Sequence, residues 1–319
     1  MLSAAGFERS LAPEWDELVR RAPMGHMLHT RAFLSYHGDR FEDASLALRD
    51  ERGRLVGVLP AARDGADLVA SHPGATFGGI VHDGGLTGAA MVDAMALVAE
   101  HYATLGFRRM RYAPVPHIYH RQPSADDVYA LFRLGARRVR CNLTCAVDVA
   151  ADVQRSSRRR RGLSKALREG VEMVEGSELV EALWPVIERN LAERHGARPV
   201  HDASEMRLLV DRFADQIAVV LARRGGEPVA GVVLFDTPRV SHAQYIASSP
   251  VGRDVAALDA VFDHCLTRAA ERGTRFFDFG SSTHEGGHSL NANLYRFKAE
   301  FGGGGVAYEH YELDLTGAR

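Results

Sequence analysis

One stretch towards the carboxyl end of the chain, residues 276–304, gathers many of the side chains that could do chemistry. Its sequence, FFDFGSSTHEGGHSLNANLYRFKAEFGGG, supplies carboxylates, hydroxyl groups, imidazoles, amides and an ammonium group. Imidazole and carboxylate groups can move protons, and a cation can stabilise negative charge that develops on an oxygen. We therefore begin the search for an active site here.

The segment His284-Glu285-Gly286-Gly287-His288 matches the H-E-x-x-H string of zinc proteases. In those enzymes the histidines lie one helical turn apart on one face, with the glutamate beside them as the base. Each of the two glycines costs a helix about 1 kcal/mol relative to alanine. The strand-like run FFDFG also directly precedes the string. We therefore predict a glycine-rich loop and no metal site, with Glu285 as the second choice of general base.

Lys298 stands out because the chain uses arginine almost everywhere. Of the 39 Lys and Arg residues, only Lys165 and Lys298 are lysines. A lysine retained in such a chain can indicate a need for a compact ammonium group instead of a forked guanidinium. The persistence of two lysines by chance explains the pattern equally well. We predict Lys298 as a catalytic residue.

A second source of candidates is the strand-like run SHAQYIASS at residues 241–249. Strict alternation along a strand places His242 and Gln244 on one face and Tyr245 on the other. An imidazole ordinarily titrates near neutral pH, so His242 is predicted as general base and Tyr245 as the acid for a leaving group. The structural alternatives are a hydrogen-bonded histidine and a tyrosine packed in the core.

Several polar residues are predicted to bind substrate. Asp278 alternates with Phe277 and Phe279, so its side chain is expected on the opposite face of the strand, as an amine anchor or as the cap of the next loop. Asn residues before a helix can equally cap it. The predicted substrate-binding residues are Gln244, Asp278, Ser281, Ser282, Asn291 and Asn293.

The composition bounds the classes of protein to consider. A chain of 319 residues with 46% hydrophobic residues and a net charge of −2 predicts a soluble protein of about two domains. No apolar run has the length of a signal peptide or of a membrane span, so we expect a cytoplasmic protein. The three cysteines lack metal-site spacing and are expected to be reduced. We expect no permanently bound cofactor.

The elements that must position these side chains repeat along the chain. A helix, a hairpin, a helix stopped by glycine and an Arg-bearing strand occur in the same order in each half. The corresponding positions are His29 and His201, 172 residues apart, Gly57 and Gly231, 174 apart, and Leu105 and Arg272, 167 apart. Each half therefore predicts an α+β unit, with domains at residues 1–150 and 151–319.

The two units, together with HAQYIASS, GRDVAALDAVFDHCLTRAAERG, FFDFGSS and LNANLYRFKAEFGG, resemble the FemAB-like double-domain branch of the GNAT N-acyltransferases. The resemblance implies two tandem GNAT-like domains, each a mixed, mostly antiparallel sheet flanked by helices. It also implies an acceptor amine held in a cleft between the domains and a donor site in the second one. Phe297-Lys298 corresponds to a Phe-Lys pair at the active site of Fem transferases.

The same resemblance implies where the donor binds. In single-domain GNAT enzymes, amides at a helix N-terminus hold the pyrophosphate of coenzyme A, and the matching helix here is predicted over residues 254–272. Gly252, Arg253, Asp254 and Phe297 are accordingly predicted as donor-binding residues. Ala256 and Ala257 depart from the family's glycine pattern, which weakens the expectation of tight coenzyme A binding.

The predicted function is transfer of an acyl group from acyl-CoA to an amine of a small-molecule or peptide-like acceptor. The alternatives are a Fem-type, aminoacyl-tRNA-dependent transferase that forms an amide bond, and a non-catalytic GNAT-like binding protein. The basic run RSSRRRRGLSKALR at residues 155–168 either binds donor phosphates or is an ordinary solvated helix face.

Overall fold

The computed structural model describes residues 2–152, 154–196 and 199–317. These residues divide into two compact units that interleave along the chain. The first unit comprises Met1–Asn142, His284–Ser289 and Ala307–Arg319, and the second comprises Leu143–Thr283 and Leu290–Val306. No helix among the described residues has both the length and the apolar composition needed to cross a bilayer.

The strands bring together residues that are far apart in sequence, because the order of the strands in the sheets differs from their order along the chain. They are β1 (Ser3–Gly6), β2 (Leu46–Arg49), β3 (Leu55–Leu59), β4 (Ala62–Arg63), β5 (Leu68–Ala70), β6 (Val81–His82), β7 (Arg109–Tyr112), β8 (Arg137–Asp148), β9 (Val171–Glu175), β10 (Ile217–Arg224), β11 (Glu227–Asp236), β12 (Val240–Ser248), β13 (Phe276–Ser281), β14 (Thr283–His284), β15 (Ser289–Leu290) and β16 (Gly304–Asp314).

The helices connect these strands and cover the sheets. They are α1 (Ala12–Arg21), α2 (Arg31–Leu34), α3 (Ala89–Thr104), α4 (Asp126–Arg133), α5 (Ser157–Arg168), α6 (Val180–His195), α7 (Ala203–Arg212), α8 (Pro250–Asp254), α9 (Ala257–Glu271) and α10 (Ala292–Ala299). Together with the mixed sheets, they confirm the predicted α+β class.

In the first unit, β1, β2, β3 and β6 form an antiparallel sheet in that order. A second sheet contains β4, β5 and β7, in which β5 and β7 run parallel. The core helix α3 buries Met91, Ala94, Met95 and Val98, a spacing of three and four residues that places them on one helix face.

In the second unit, the strands lie in the order β8, β13, β12, β11, β10 and β9. Each neighbouring pair is antiparallel except β12 and β13, which are parallel. The apolar side of α9, with Val261, Phe262 and Cys265, packs into a core that also contains Phe277 and Phe279 of β13. Asp278, between these two phenylalanines, therefore points to the opposite face of the sheet, as predicted.

The predicted repeat of element order is found in both units. Each has an antiparallel hairpin, β2–β3 in one and β10–β11 in the other, followed later by a helix and a strand. Each unit also contains a parallel pair, β5 with β7 and β12 with β13. A capping box starts α7, because Asp202 and Glu205 each bond the other's backbone N–H.

The helix predicted over residues 254–272 begins later than expected. Ala256 has a left-handed backbone, with φ of 58°, and α9 begins at Ala257. Residues 250–254 form the separate short helix α8. Because an L-residue in this conformation breaks the helical path, Asp254 ends one helix instead of starting the next.

Candidate functional site

The parallel strands β12 and β13 position the strongest cluster of functional side chains. They pair at only three positions, Val240 with Phe276, Ser241 with Phe277 and His242 with Asp278. Beyond the third pair, β12 continues to Ser248 and β13 continues to Ser281 without pairing to each other. The backbones therefore separate immediately after His242 and Asp278, which are next to the point of separation.

His242 and Asp278 form a buried hydrogen-bonded pair. The imidazole Nδ1 lies 2.9 Å from the carboxylate Oδ2, and Asp278 is 0% exposed. A carboxylate can only accept here, so it favours the imidazole tautomer that carries its proton on Nδ1. The Nε2 lone pair is then available, and this atom has no hydrogen-bond partner among the described residues. Such an arrangement can take a proton from a substrate.

A bulge in β13 links this pair to Lys298. Asp278 pairs with Ala146 of β8, but the next paired position is Ser281 with Thr144, so the register shifts between them. Gly280 lies in the bulge with φ of 73°, and its N–H donates to Asp278 Oδ1 at 3.0 Å. A side chain added at Gly280 would place its Cβ 3.6 Å from His242 Cε1. The glycine thus holds the carboxylate beside the imidazole.

Lys298 projects from α10 onto the same bulge. Its Nζ donates to the carbonyl oxygens of Gly280, at 2.9 Å, and Ser281, at 2.6 Å. Burial lowers the pKa of Lys298 to about 8, while the Asp278 carboxylate acts in the opposite direction. The ammonium group is therefore mainly charged at neutral pH, and it has a third N–H without an acceptor among the described residues.

The strict alternation predicted for β12 is wrong, because β12 also contains a bulge. Tyr245 pairs with Val233 of β11 and Ala243 pairs with Leu234, so Gln244 is the extra residue. Since Val233 and Leu234 point to opposite faces, Tyr245 points away from the Ala243 face. Tyr245 consequently shares the face of His242.

Tyr245 is already hydrogen-bonded. Its hydroxyl oxygen lies 2.7 Å from His201 Nδ1 and accepts from the His201 backbone N–H at 3.2 Å. The ring also contacts Trp184, with centroids 5.4 Å apart. Burial raises the pKa of Tyr245, so the phenol keeps its proton at neutral pH. Its predicted role as an acid stays a prediction.

The predicted substrate-binding residues of the following segment have different local roles. Asn291 is the N-cap of α10, since its Oδ1 accepts from Leu294 N–H at 3.0 Å. Asn293 Oδ1 accepts from Arg296 at 2.7 Å. The Ser281 hydroxyl is exposed and bonds Thr283, whereas the buried Ser282 hydroxyl has no partner among the described residues. Their roles in substrate binding stay predictions.

The zinc-protease string does not form a helix of the required kind. Residues 283–284 and 289–290 are the paired strands β14 and β15, and Glu285–Gly287 form one 3-10 turn between them. Within the described residues, no group of three or more His, Cys, Asp or Glu could hold a metal ion. Glu285 is exposed and belongs to the first unit, and its role as a base stays a prediction.

Comparisons with known proteins agree with this fold. The sequence profile described as "Acetyltransferase (GNAT) domain" matches residues 153–298. The match covers just under half of the chain and contains His242, Asp278 and Lys298. These residues are therefore similar to a GNAT acetyltransferase domain. No curated protein sequence is significantly similar to the chain.

Solved structures resemble the chain over nearly its whole length. FemX is 13% identical, with a TM-score of 0.70 over 98% of this chain and 97% of its own. The C-terminal domain of a putative lysylphosphatidylglycerol synthetase from Agrobacterium fabrum is 14% identical, with a TM-score of 0.61 over 95% and 92%. A tandem GNAT protein from the clavulanic acid biosynthesis pathway is 13% identical, with a TM-score of 0.51 over 99% of both chains. At these identities the likeness concerns the fold.

The predicted donor-binding residues of the GNAT domain have clear packing contacts. A Cβ at Gly252 would lie 2.1 Å from the Val229 carbonyl oxygen, so the glycine is required where α8 meets β11. Arg253 donates to the Ser248 carbonyl at 2.8 Å, and Asp254 is exposed at the end of α8. These contacts leave their proposed role in donor binding untested.

Phe297 belongs to an aromatic cluster under a buried arginine that the sequence analysis missed. Its ring lies 5.5 Å from that of Phe301, and the Arg159 guanidinium lies 4.5 Å above the Phe297 ring. Arg159 forms ion pairs at 3.0 Å with both Asp259 and Glu300. The sequence signal that could have predicted the burial of Arg159 is its spacing of seven residues from the apolar Ala166, which places both residues on one helix face.

Proposed function

We propose that this chain is an N-acyltransferase that forms an amide bond between an activated acyl group and a substrate amine. The GNAT domain at residues 153–298 supports the reaction class. The observation that carries the proposal is the buried His242–Asp278 pair, joined through Gly280 to Lys298. The three side chains provide a proton acceptor, a group that orients it and a cation.

The reaction needs an amine nucleophile, a proton acceptor and a stabilised oxyanion. The amine nitrogen attacks the acyl carbonyl carbon, forming the C–N bond, and His242 Nε2 accepts the proton that the nitrogen loses. The bond from the acyl carbon to the donor sulfur or oxygen then breaks. The leaving sulfur or oxygen takes up one proton and is released as a thiol or an alcohol. This proton balances the one that the amine loses to His242.

Lys298 and Asp278 support this step in different ways. Two of the three ammonium N–H groups are bonded to carbonyls, which fixes the position of the Lys298 charge. We propose that this charge stabilises the carbonyl oxygen as it becomes negative. Asp278 is a positioning residue, because it holds the imidazole in the tautomer whose Nε2 can accept the proton.

A thiol nucleophile is a poor alternative at this site. Cys145 is buried, and burial raises the pKa of its thiol to about 12. A thiol with such a pKa is almost entirely protonated at neutral pH, so it is a weak nucleophile. Direct attack by the substrate amine is therefore the route proposed.

Acyl-CoA is the donor predicted first, but the first turn of α9 does not fit its pyrophosphate. This turn carries the Asp259 carboxylate, 5% exposed, and a Cβ at Gly162 of α5 would lie 2.5 Å from that group. The buried carboxylate pairs with Arg159 and places a negative charge in the first turn of α9, which opposes the binding of another anion there. A different site for the phosphates of the donor therefore has to be considered.

That observation favours aminoacyl-tRNA as a second candidate donor. An aminoacyl ester contains the same electrophilic carbonyl as a thioester, and its use does not depend on a pyrophosphate at the start of α9. FemX and the putative lysylphosphatidylglycerol synthetase share the fold, which makes this donor class worth testing. The non-catalytic alternative gives the His242–Asp278 pair only a structural role.

The direct test is a donor panel with acyl-CoAs and charged tRNAs, each incubated with small-molecule and peptide amines. Amide products are followed by mass spectrometry, and thiol release reports acyl-CoA use. Product from either donor class supports the proposed function and identifies the donor. If the protein binds donors but forms no amide product with any of them, the non-catalytic alternative is favoured.

A further inference from the structure

Helix α5 carries a stripe of cations along one side. Arg158, Arg161, Lys165 and Arg168 are all exposed and are separated by three, four and three residues. In an α-helix this spacing places side chains on one face. Ten residues also rise by about 15 Å, so the charges form an elongated row. We call these four residues the α5 stripe.

The stripe lacks the carboxylate partners that two neighbouring arginines have. Arg155, just before α5, pairs with Asp263, and Arg159 of α5 pairs with Asp259 and Glu300. No Asp or Glu among the described residues lies within ion-pair distance of any stripe residue. A row of four cations that face solvent without an ion-pair partner attracts anions.

A cavity beside the first residue of the stripe extends this site to α10. Its volume is about 300 Å³, and it is lined by Arg158, Arg159, Asn293, Arg296, Phe297 and Glu300. The Glu300 carboxylate is paired with Arg159 at 3.0 Å, whereas Arg158 and Arg296 have no carboxylate partner among the described residues. The cavity thus has an excess of positive charge on its exposed rim.

The cavity lies on the helix that supplies the proposed catalytic cation. Arg296 and Lys298 are two residues apart on α10, but Arg296 is exposed and Lys298 is buried on the β13 bulge. Along the helix axis the two residues are separated by about 3 Å, and their side chains project to opposite sides of α10. Phosphate binding and carbonyl chemistry would therefore occur on two sides of the same helical turn.

We propose that the α5 stripe and Arg296 bind the phosphate groups of the acyl donor. The inference rests on the proposed acyl transfer, and it assigns the donor phosphates a site away from the start of α9. Guanidinium groups bind phosphate oxygens through paired N–H donors. The phosphates of coenzyme A and the phosphodiesters of a tRNA 3′ end share this chemistry, so the experiment has one arm for each.

The test measures binding to the full chain and to the variant Arg158→Gln/Arg161→Gln/Lys165→Gln. One probe is a fluorescent RNA hairpin with a single-stranded 3′ end, followed by anisotropy over a range of salt concentrations. The other is coenzyme A, followed by calorimetry. The matched control is Arg52→Gln/Arg108→Gln/Arg137→Gln, which removes three exposed arginines of the first unit. Circular dichroism checks that each variant is folded.

We expect the stripe variant to bind at least one probe tenfold or more weakly than wild type, while the control binds normally. For RNA, the slope of log K against log salt should fall by roughly 0.7–0.9 for each phosphate that the variant no longer neutralises. Weaker binding of RNA alone identifies tRNA as the phosphate source, and weaker binding of coenzyme A alone identifies the thioester donor. Equal binding by wild type and the stripe variant, or no binding of either probe to wild type, overturns the inference.

Binding and transfer separate this inference from the proposed function. Phosphate binding that depends on the stripe, in a protein that transfers no acyl group from any donor, supports the inference and contradicts the function. Amide formation that is unchanged in the stripe variant supports the proposed function and contradicts the inference. The variant Arg296→Gln should weaken the same probe as the stripe variant, and normal binding by it contradicts a site that includes α10.

Discussion

The Nδ1 atom of His242 lies 2.9 Å from Oδ2 of Asp278, at the last paired position of two parallel strands that then separate. The contact joins residues 36 positions apart in sequence. Because Asp278 also accepts from Gly280 N–H, its carboxylate is held from two sides. The imidazole therefore has a defined tautomer and a defined position at the point where the strands open.

Asp278→Asn should lower the transfer rate by roughly 10²–10⁴-fold, the range typical of a lost general-base contribution. An amide NH₂ can donate to Nδ1 and so favour the tautomer protonated on Nε2, which cannot accept the substrate proton. The ¹⁵N shifts of His242 distinguish these tautomers. A variant that is as folded as wild type, with the Nδ1–H tautomer and full activity, contradicts the positioning role.

Lys298 should give the activity an alkaline limit. Because burial lowers its pKa to about 8, the ammonium charge is lost as the pH rises through that value, and kcat/KM should fall with it. Lys298→Arg keeps a charge that does not titrate in this range, so the fall near pH 8 should disappear. We also expect lower turnover and unchanged stability in this variant, because a fork replaces a compact group. A fully active Arg variant contradicts the argument for a compact ammonium.

The same shift affects stability with a definite sign. The pKa of Lys298 is lower in the folded chain than its ordinary value of 10.5, so between about pH 8 and 10.5 the unfolded chain binds more protons. The contribution of this group to the free energy of unfolding therefore rises with pH across that window and is constant below it. Comparing urea unfolding of wild type and Lys298→Met at pH 7 and pH 10 measures the difference; an equal stability gap at both values contradicts the shift.

Gly280→Ala should reduce activity more than its backbone strain explains. Its φ of 73° should cost an alanine about 1–2 kcal/mol. The new Cβ would make only ordinary contacts, but the strained residue supplies the N–H that bonds Asp278 and the carbonyl that accepts from Lys298. Gly273→Ala is the matched control, since Gly273 has φ of 72° and open space around its Cβ position. We expect both variants to lose similar stability but only Gly280→Ala to lose activity. Equal activities would contradict a role of the Gly280 backbone in holding Asp278 and Lys298.

Ala256→Gly should stabilise the chain by about 1 kcal/mol, because glycine adopts the left-handed backbone of this residue without strain. Ala96→Gly, at an exposed position inside α3, should have the opposite effect by about the same amount. Thermal unfolding measures both. A lower melting temperature for Ala256→Gly contradicts the strain assigned to this position.

Local patterns were enough to predict much of the fold. The capping box at Asp202, the hairpins and the glycine stops depend on residues close in sequence, and their repetition indicated two related units. Lys298 was found through composition alone, as one of two lysines. The resemblance to FemAB-like proteins then supplied the superfamily, which the profile match supports.

Local sequence patterns could not predict the contacts within the site. The His242–Asp278 bond depends on the register of parallel strands, and the face of Tyr245 depends on a one-residue bulge at Gln244. Neither feature has a sequence signal, since the bulged residue is not glycine. The late start of α9 also has no sequence signal, because an alanine at position 256 does not indicate a left-handed backbone.

The most direct test of the central claim is the single-turnover rate of amide formation by His242→Gln, measured with saturating donor and amine. His264→Gln, which changes a partly exposed histidine of α9 bonded to Glu175, is the control. If His242 Nε2 accepts the amine proton, His242→Gln should bind donor normally and form amide at least 100-fold more slowly, while His264→Gln matches wild type. An undiminished rate of amide formation by His242→Gln contradicts the account.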